Sequence, residues 1–169
     1  MLDALDRLDA RATFFVVGSG IAAGGQALRR AVACGHELAN HSWAHRDLSR
    51  APAGTEADLR RASRELHTVA GAEPALFRAP YGRWSPALVR AARGAGLRSV
   101  GWDVDSRDWA GIGPTAIVEN VLARARPGSI VLLHDGAGER GATVEALGRI
   151  VPVLHEEGIA TVTASELLG

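Results

Sequence analysis

Short apolar runs alternate with longer stretches of helical periodicity along the whole chain. Runs of that kind are buried as strands, and the helical stretches between them supply the cover, so the pattern predicts βα units around a parallel sheet. Residues 12–17 form the first expected strand, bounded by Gly18 and Gly20, and a helix is expected over 26–34, stopped by Gly35. Glu37–Asn40 reads as a short, partly polar strand. From Thr55, the positions Leu59, Ala62, Leu66 and Val69 mark one helix face, with Thr55 and Asp58 spaced like a weak capping box and Gly71 as the stop. Further strands are expected over 75–79, 97–104, 129–133 and 159–162, and helices over 86–93, 114–125, 144–157 and 165–168. Leu2, Leu5 and Leu8 recur every third residue, so the chain opens inside an amphipathic helix. No internal repeat, low-complexity tract or linker interrupts the alternation, which predicts a single domain over residues 1–169.

Charge removes several function classes. All 19 basic residues are arginines, which excludes a lysine Schiff base and a Walker-type phosphate loop. They are balanced by 19 acidic residues, which argues against a broad basic face for nucleic acid or an anionic membrane; Arg60, Arg61 and Arg64 read as a solvated helix face. A lone cysteine, Cys34, excludes an intrachain disulfide and a Cys-rich metal site. The acidic opening Met1-Leu2-Asp3-Ala4-Leu5-Asp6 does not read as a secretory signal, and no run reaches the roughly 18 apolar residues of a transmembrane segment.

In parallel βα folds chemistry collects where strands end, and four polar clusters fall at such ends. His41 and His45, four apart, can meet one cation if the segment turns tightly, or can form a hydrogen-bonded loop pair. His36-Glu37-Leu38-Ala39-Asn40 begins like a zincin motif, but its fifth position is asparagine, and His36 is assigned a structural role. Arg78-Ala79-Pro80-Tyr81-Gly82 sets a permanent charge beside a rigid and a permissive residue; it reads as a strand exit, or as an arginine orienting a carboxylate with the Tyr81 backbone N–H facing an oxyanion. Asp103, Asp105 and Asp108 lie among Trp102 and Trp109, a composition that suits a sugar subsite or a core edge. His134-Asp135-Gly136 ends the most apolar strand, where a histidine can act as a general acid. His67 and His155 sit on helical patterns and are assigned to the surface.

Taken in order, His41-Ser42-Trp43-Ala44-His45, Arg78-Ala79-Pro80-Tyr81-Gly82, Asp105-Ser106-Arg107-Asp108-Trp109 and Leu132-Leu133-His134 resemble four of the five motifs of the polysaccharide deacetylase family, the NodB homology domain of carbohydrate esterase family 4. The resemblance covers essentially the whole chain. It implies a distorted (β/α) barrel and a metal-dependent hydrolase that removes N-acetyl groups from a glycan such as peptidoglycan or a chitin oligomer, with a secreted or cell-envelope location. A divalent metal, most often Zn2+, would polarise the acetyl carbonyl and activate water. By position, His41 and His45 would be metal ligands and Ser42 would brace their loop. Arg78 would orient the catalytic base, Tyr81 would help hold the oxyanion, Trp109 would wall the site and Leu132 would line the acetyl pocket. His134 would protonate the leaving amine, tuned by Asp105.

The family's first motif, of the form Thr-Phe-Asp-Asp-Gly, supplies the base and the third metal ligand, and this sequence contains no Asp-Asp pair. Asp3, Asp6 and Asp9 lie on a helical pattern and are poor substitutes. The expected fold is therefore a barrel lacking its first strand, with a truncated deacetylase as the leading reading. A catalytically inactive carbohydrate-binding or structural relative, and an unrelated α/β domain with coincidental clusters, are the alternatives.

Overall fold

The computed structural model describes residues 1–136 and 138–169. Its contacts group the chain into two compact units, one formed by Thr13–Gly101 and the other by Met1–Ala12 with Trp102–Gly169.

In the Thr13–Gly101 unit, four parallel strands run in the order β1 (Thr13–Val16), β2 (Glu37–Asn40), β3 (Leu76–Phe77) and β4 (Arg98–Ser99). Phe14 pairs with Leu38 and Phe15 with Ala39, so the first crossover is set by a full ladder. The helices between the strands are α2 (Ile21–Ala33), α3 (Thr55–Ala70) and α4 (Pro86–Gly94). Leu59, Phe77, Leu88 and Ala92 are fully buried in one cluster, which is how α3 and α4 are fixed to β3. α2 starts five residues ahead of the expected 26, because Gly24 and Gly25 do not stop it: Gly25 lets the helix approach closely enough that a Cβ there would sit 2.9 Å from Val69. α3 ends as expected at Gly71, whose φ of +67° suits glycine. The expected capping box is not formed. Gly54 is the N-cap, the Thr55 hydroxyl donates to the Pro52 carbonyl at 2.7 Å, and Asp58 faces away toward Trp43.

α4 carries a conventional cap: Ser85 Oγ accepts the Leu88 N–H at 3.1 Å and Pro86 opens the first turn. Ser85→Ala is expected to cost about 1 kcal/mol. A thermal melt should show it as a midpoint lowered by roughly 2–4 °C.

In the other unit, β5 (Val104–Asp105) and β6 (Val131–Leu132) form a parallel pair. They are served by α1 (Leu2–Arg7), α5 (Pro114–Leu122), α6 (Gly141–Glu156) and α7 (Ala164–Leu168). Val104, Ile117, Val121, Ala146 and Ile150 make its core. The single strand expected over 97–104 is two strands, β4 and β5, in separate sheets. Asp103 ties the start of β5 to the residues ahead of β6: its carboxylate takes the Ile130 N–H at 2.6 Å and the Ser129 hydroxyl at 2.9 Å, and its own N–H donates to the Ile130 carbonyl at 3.2 Å. Residues 159–162 do not form the expected last strand. Their backbone meets Arg11 N–H at 3.4 Å through the Thr161 carbonyl, without a strand partner among the described residues, and Thr163 then caps α7 in a capping box with Glu166. The α/β class with parallel strands and interposed helices holds. No helix among the described residues is long and apolar enough to cross a membrane.

Candidate active site

The Thr13–Gly101 unit gathers His41, Ser42, His45, Arg78 and Tyr81 beyond the ends of β2 and β3. The His41 and His45 rings meet edge to face with centroids 4.8 Å apart, and His45 meets the Tyr81 ring at 4.6 Å. His41 Nδ1 lies 2.8 Å from the Arg78 backbone carbonyl. A carbonyl only accepts, so Nδ1 carries the proton and Nε2 holds the lone pair. Ser42 is buried and its Oγ accepts the His45 N–H at 3.1 Å.

Four non-glycine residues of the expected clusters stand in the left-handed region: Ser42 (φ 65°), His45 (φ 52°), Tyr81 (φ 59°) and Arg107 (φ 58°). Each such residue costs on the order of 1 kcal/mol and persists only where surrounding bonds hold it.

The Arg78 guanidinium is buried, lies 4.0 Å from the Phe15 ring centroid and donates to the Gly101 carbonyl at 2.8 Å. Burial lowers its pKa to about 10, so it stays charged at neutral pH. Tyr81 is exposed, in a tight turn closed by the Gly82 N–H donating to the Ala79 carbonyl at 3.1 Å.

In the other unit, Asp105, Asp108 and Trp109 follow β5, and His134 follows β6 just after buried Leu132. The carboxylate that meets His134 is Asp108, not Asp105. Its Oδ1 lies 2.7 Å from His134 Nδ1, its Oδ2 accepts the His134 backbone N–H at 2.8 Å, and the Thr143 hydroxyl donates to Oδ2 at 3.0 Å. Asp105 instead accepts the Arg107 N–H at 2.8 Å and the indole N–H of exposed Trp109 at 3.2 Å, which corrects the expectation that it tunes His134. Burial raises the Asp108 pKa, but the bonds from His134 and Thr143 outweigh it and leave the carboxyl below its ordinary value. With Nδ1 bound to Asp108, Nε2 is the His134 atom left for proton transfer.

Sequence reasoning passed over Asp108. Asp105 and Asp108 both lie beside tryptophans in one short segment, and nothing in that segment ranks one above the other. Burial separates them: the Asp108 side chain is wholly enclosed. His36 is buried against Phe14 at 5.4 Å, as its structural assignment requires, and His67 and His155 are exposed.

A metal can be weighed against this donor set. Two adjacent imidazoles, one with its tautomer fixed by a backbone carbonyl, fit two positions of a tetrahedral nitrogen and oxygen site. Among the described residues no group of three His, Cys, Asp or Glu side chains could hold an ion, so a third protein ligand is not among them.

The family model for polysaccharide deacetylase matches residues 1–100. A chitooligosaccharide deacetylase of Bradyrhizobium sp. (strain ANU 289) is 43% identical over 171 residues, covering 94% of this chain and 78% of its own length. A peptidoglycan-N-acetylglucosamine deacetylase of Bacillus cereus is 37% identical over 171 residues, covering 99% of this chain and 80% of its own length. Among solved structures, a CE4 family pseudoenzyme from Bacillus anthracis superposes with a TM-score of 0.92 at 26% identity; it aligns with 99% of this chain, which spans 59% of the pseudoenzyme. The reading of the clusters as coincidences in an unrelated α/β domain falls with these matches. The motifs at the strand ends and the length of the matched sequence agree: the chain belongs to the polysaccharide deacetylase family, whose hydrolases cleave the carbon–nitrogen bond of N-acetylated sugars.

Proposed function

We propose that the chain is a divalent-metal-dependent N-deacetylase of a β-linked N-acetylglucosamine polymer, peptidoglycan or a chitin oligomer. The observation that carries this reading is the His41–His45 pair, with His41 Nδ1 tied to a carbonyl so that Nε2 presents a lone pair beside a second imidazole. His41 and His45 would hold the metal, assigned as Zn2+ from two nitrogen donors, and the ion when bound would supply Lewis-acid polarisation of the acetyl carbonyl and a more acidic water.

The chain's own groups would do the rest. The Tyr81 backbone N–H would donate to the oxygen that gains negative charge. His134 would deliver a proton from Nε2 to the departing amine nitrogen, held in orientation by Asp108. Leu132 would contact the acetyl methyl, and the exposed Trp109 ring, its N–H anchored on Asp105, would stack on a sugar. Arg78 would orient a carboxylate base. That base and the third ligand would come from a Thr-Phe-Asp-Asp-Gly-type strand, which this sequence does not contain.

The test supplies that strand. Zinc-loaded chain is assayed on an N-acetylglucosamine oligomer beside a version carrying a Thr-Phe-Asp-Asp-Gly strand ahead of α1. Turnover only in the extended version is expected; turnover in the 169-residue chain alone would overturn the assignment of the base to the first motif. The likeness to the Bacillus anthracis pseudoenzyme favours a second reading, glycan binding without catalysis. It predicts that both versions bind the oligomer and neither releases acetate.

A further inference from the structure

We infer that Asp58 of α3 is a positioning residue that latches Trp43 and so sets the spacing of His41 and His45. The inference rests on the metal reading given under the proposed function. Along the loop from His41 to His45 four backbone N–H groups have named partners. His41 donates to the Val16 carbonyl at 3.1 Å, Ser42 to Asn40 Oδ1 at 2.9 Å, Trp43 to Asp58 Oδ1 at 2.8 Å and His45 to Ser42 Oγ at 3.1 Å. Of the side-chain acceptors, only Asp58 belongs to a helix outside the loop and its strand.

Trp43 is held on every side. Its carbonyl accepts the Ser19 N–H at 2.7 Å, the Arg61 guanidinium lies 3.5 Å from its ring centroid, and a Cβ on Gly18 would fall 2.6 Å from the ring. Asp58 and Arg61 stand three residues apart on one face of α3, so one helix turn grips both the backbone and the ring of Trp43. Wholly buried Asn40 reaches the same helix, donating to the Leu59 carbonyl at 2.8 Å and to Ser63 Oγ at 2.9 Å.

The bland role for an acidic residue in the first turn of a helix is to complement the helix dipole from solvent. Asp58 does not suit it: its side chain is only 12% exposed and its Oδ1 is aimed at the Trp43 N–H. Arg46, 3.8 Å away and mostly exposed, adds little. The loop needs such a hold, because Ser42 and His45 on either side of Trp43 occupy left-handed backbone that relaxes when released. Without the latch the two imidazoles would lose their 4.8 Å juxtaposition.

The experiment uses the full chain with Asp58→Ala and Asp58→Asn, zinc affinity measured by competition with a chromogenic chelator, and amide hydrogen exchange read at Trp43 and His45 without metal. Asp58→Ala should weaken zinc binding by about 10- to 100-fold and expose the Trp43 and His45 amides to fast exchange. Asp58→Asn keeps an acceptor oxygen and should restore both to near the parent values. Parent-like zinc affinity together with parent-like Trp43 and His45 protection in Asp58→Ala would overturn the inference, as would a failure of Asp58→Asn to rescue. If the parent takes up no zinc, the metal reading fails by itself. The exchange data then decide the latch: local loss at Trp43 and His45 in Asp58→Ala supports it, and unchanged or uniformly faster exchange overturns it.

Discussion

Asp108→Asn is expected to destabilise the chain by about 3 kcal/mol at pH 7, lowering a thermal midpoint by about 10 °C. The wild-type carboxylate is wholly buried and receives the His134 backbone N–H, His134 Nδ1 and the Thr143 hydroxyl. An amide has one acceptor oxygen for these donors, and its NH2 can meet His134 Nδ1 only if the imidazole moves its proton to Nε2. The charge-assisted bonds are therefore lost, and the ring is either unsatisfied at Nδ1 or held in the other tautomer. The pH dependence follows from the lowered carboxyl pKa. A group whose folded pKa is depressed stabilises fully above its unfolded value, near 3.9 for Asp, and loses that contribution as pH falls through the folded value. The difference between wild type and variant should therefore be constant from neutral pH down to about 5 and shrink below about 4. Urea titrations at pH 7 and pH 3 measure it. Equal midpoints at pH 7, or a gap undiminished at pH 3, would remove Asp108 from this role.

The residues that were legible in the sequence are those whose local signal and tertiary role coincide. β2 falls on Glu37–Asn40 as expected, and α3 ends at Gly71, because strand pairing and a left-handed stop act through the residues themselves. The imidazole pair was legible only in part: a spacing of four lets both rings reach one turn, but the bonds that hold that turn come from Val16, Asn40 and Asp58, which the spacing does not announce. Where a distant group competes with the local pattern, the sequence misleads. Apolar residues in the 97–104 run suggest continuity, but Asp103 binds Ile130, far along the chain, and the ladder changes partner. The Thr55 and Asp58 spacing suggests a cap, but Trp43 takes the carboxylate. Asp105 and Asp108 differ in burial and partners, Asp108 being enclosed against Thr143, a residue of α6 that no local pattern connects to them. Arg78 also donates to the backbone carbonyls of Val100 and Gly101, contacts that no motif spacing announces.

His134→Asn separates chemistry from architecture at the same pair. Asparagine places an N–H near the position of His134 Nδ1, so the bond to Asp108 can persist, and the backbone bond from residue 134 is untouched. Stability should therefore stay within about 1 kcal/mol of the parent, in contrast to Asp108→Asn. What asparagine cannot do is release a proton to a departing amine near neutral pH. In the version of the chain that turns over, kcat should fall by about 10²- to 10⁴-fold, with KM little changed because the ring is not assigned to substrate binding. Zinc affinity should match the parent, since His134 is not among the proposed ligands. An amine that leaves readily would need less help, so the loss should be smaller on an activated N-acyl substrate than on the N-acetylglucosamine oligomer. A kcat within about threefold of the parent on the oligomer would show that the proton comes from elsewhere.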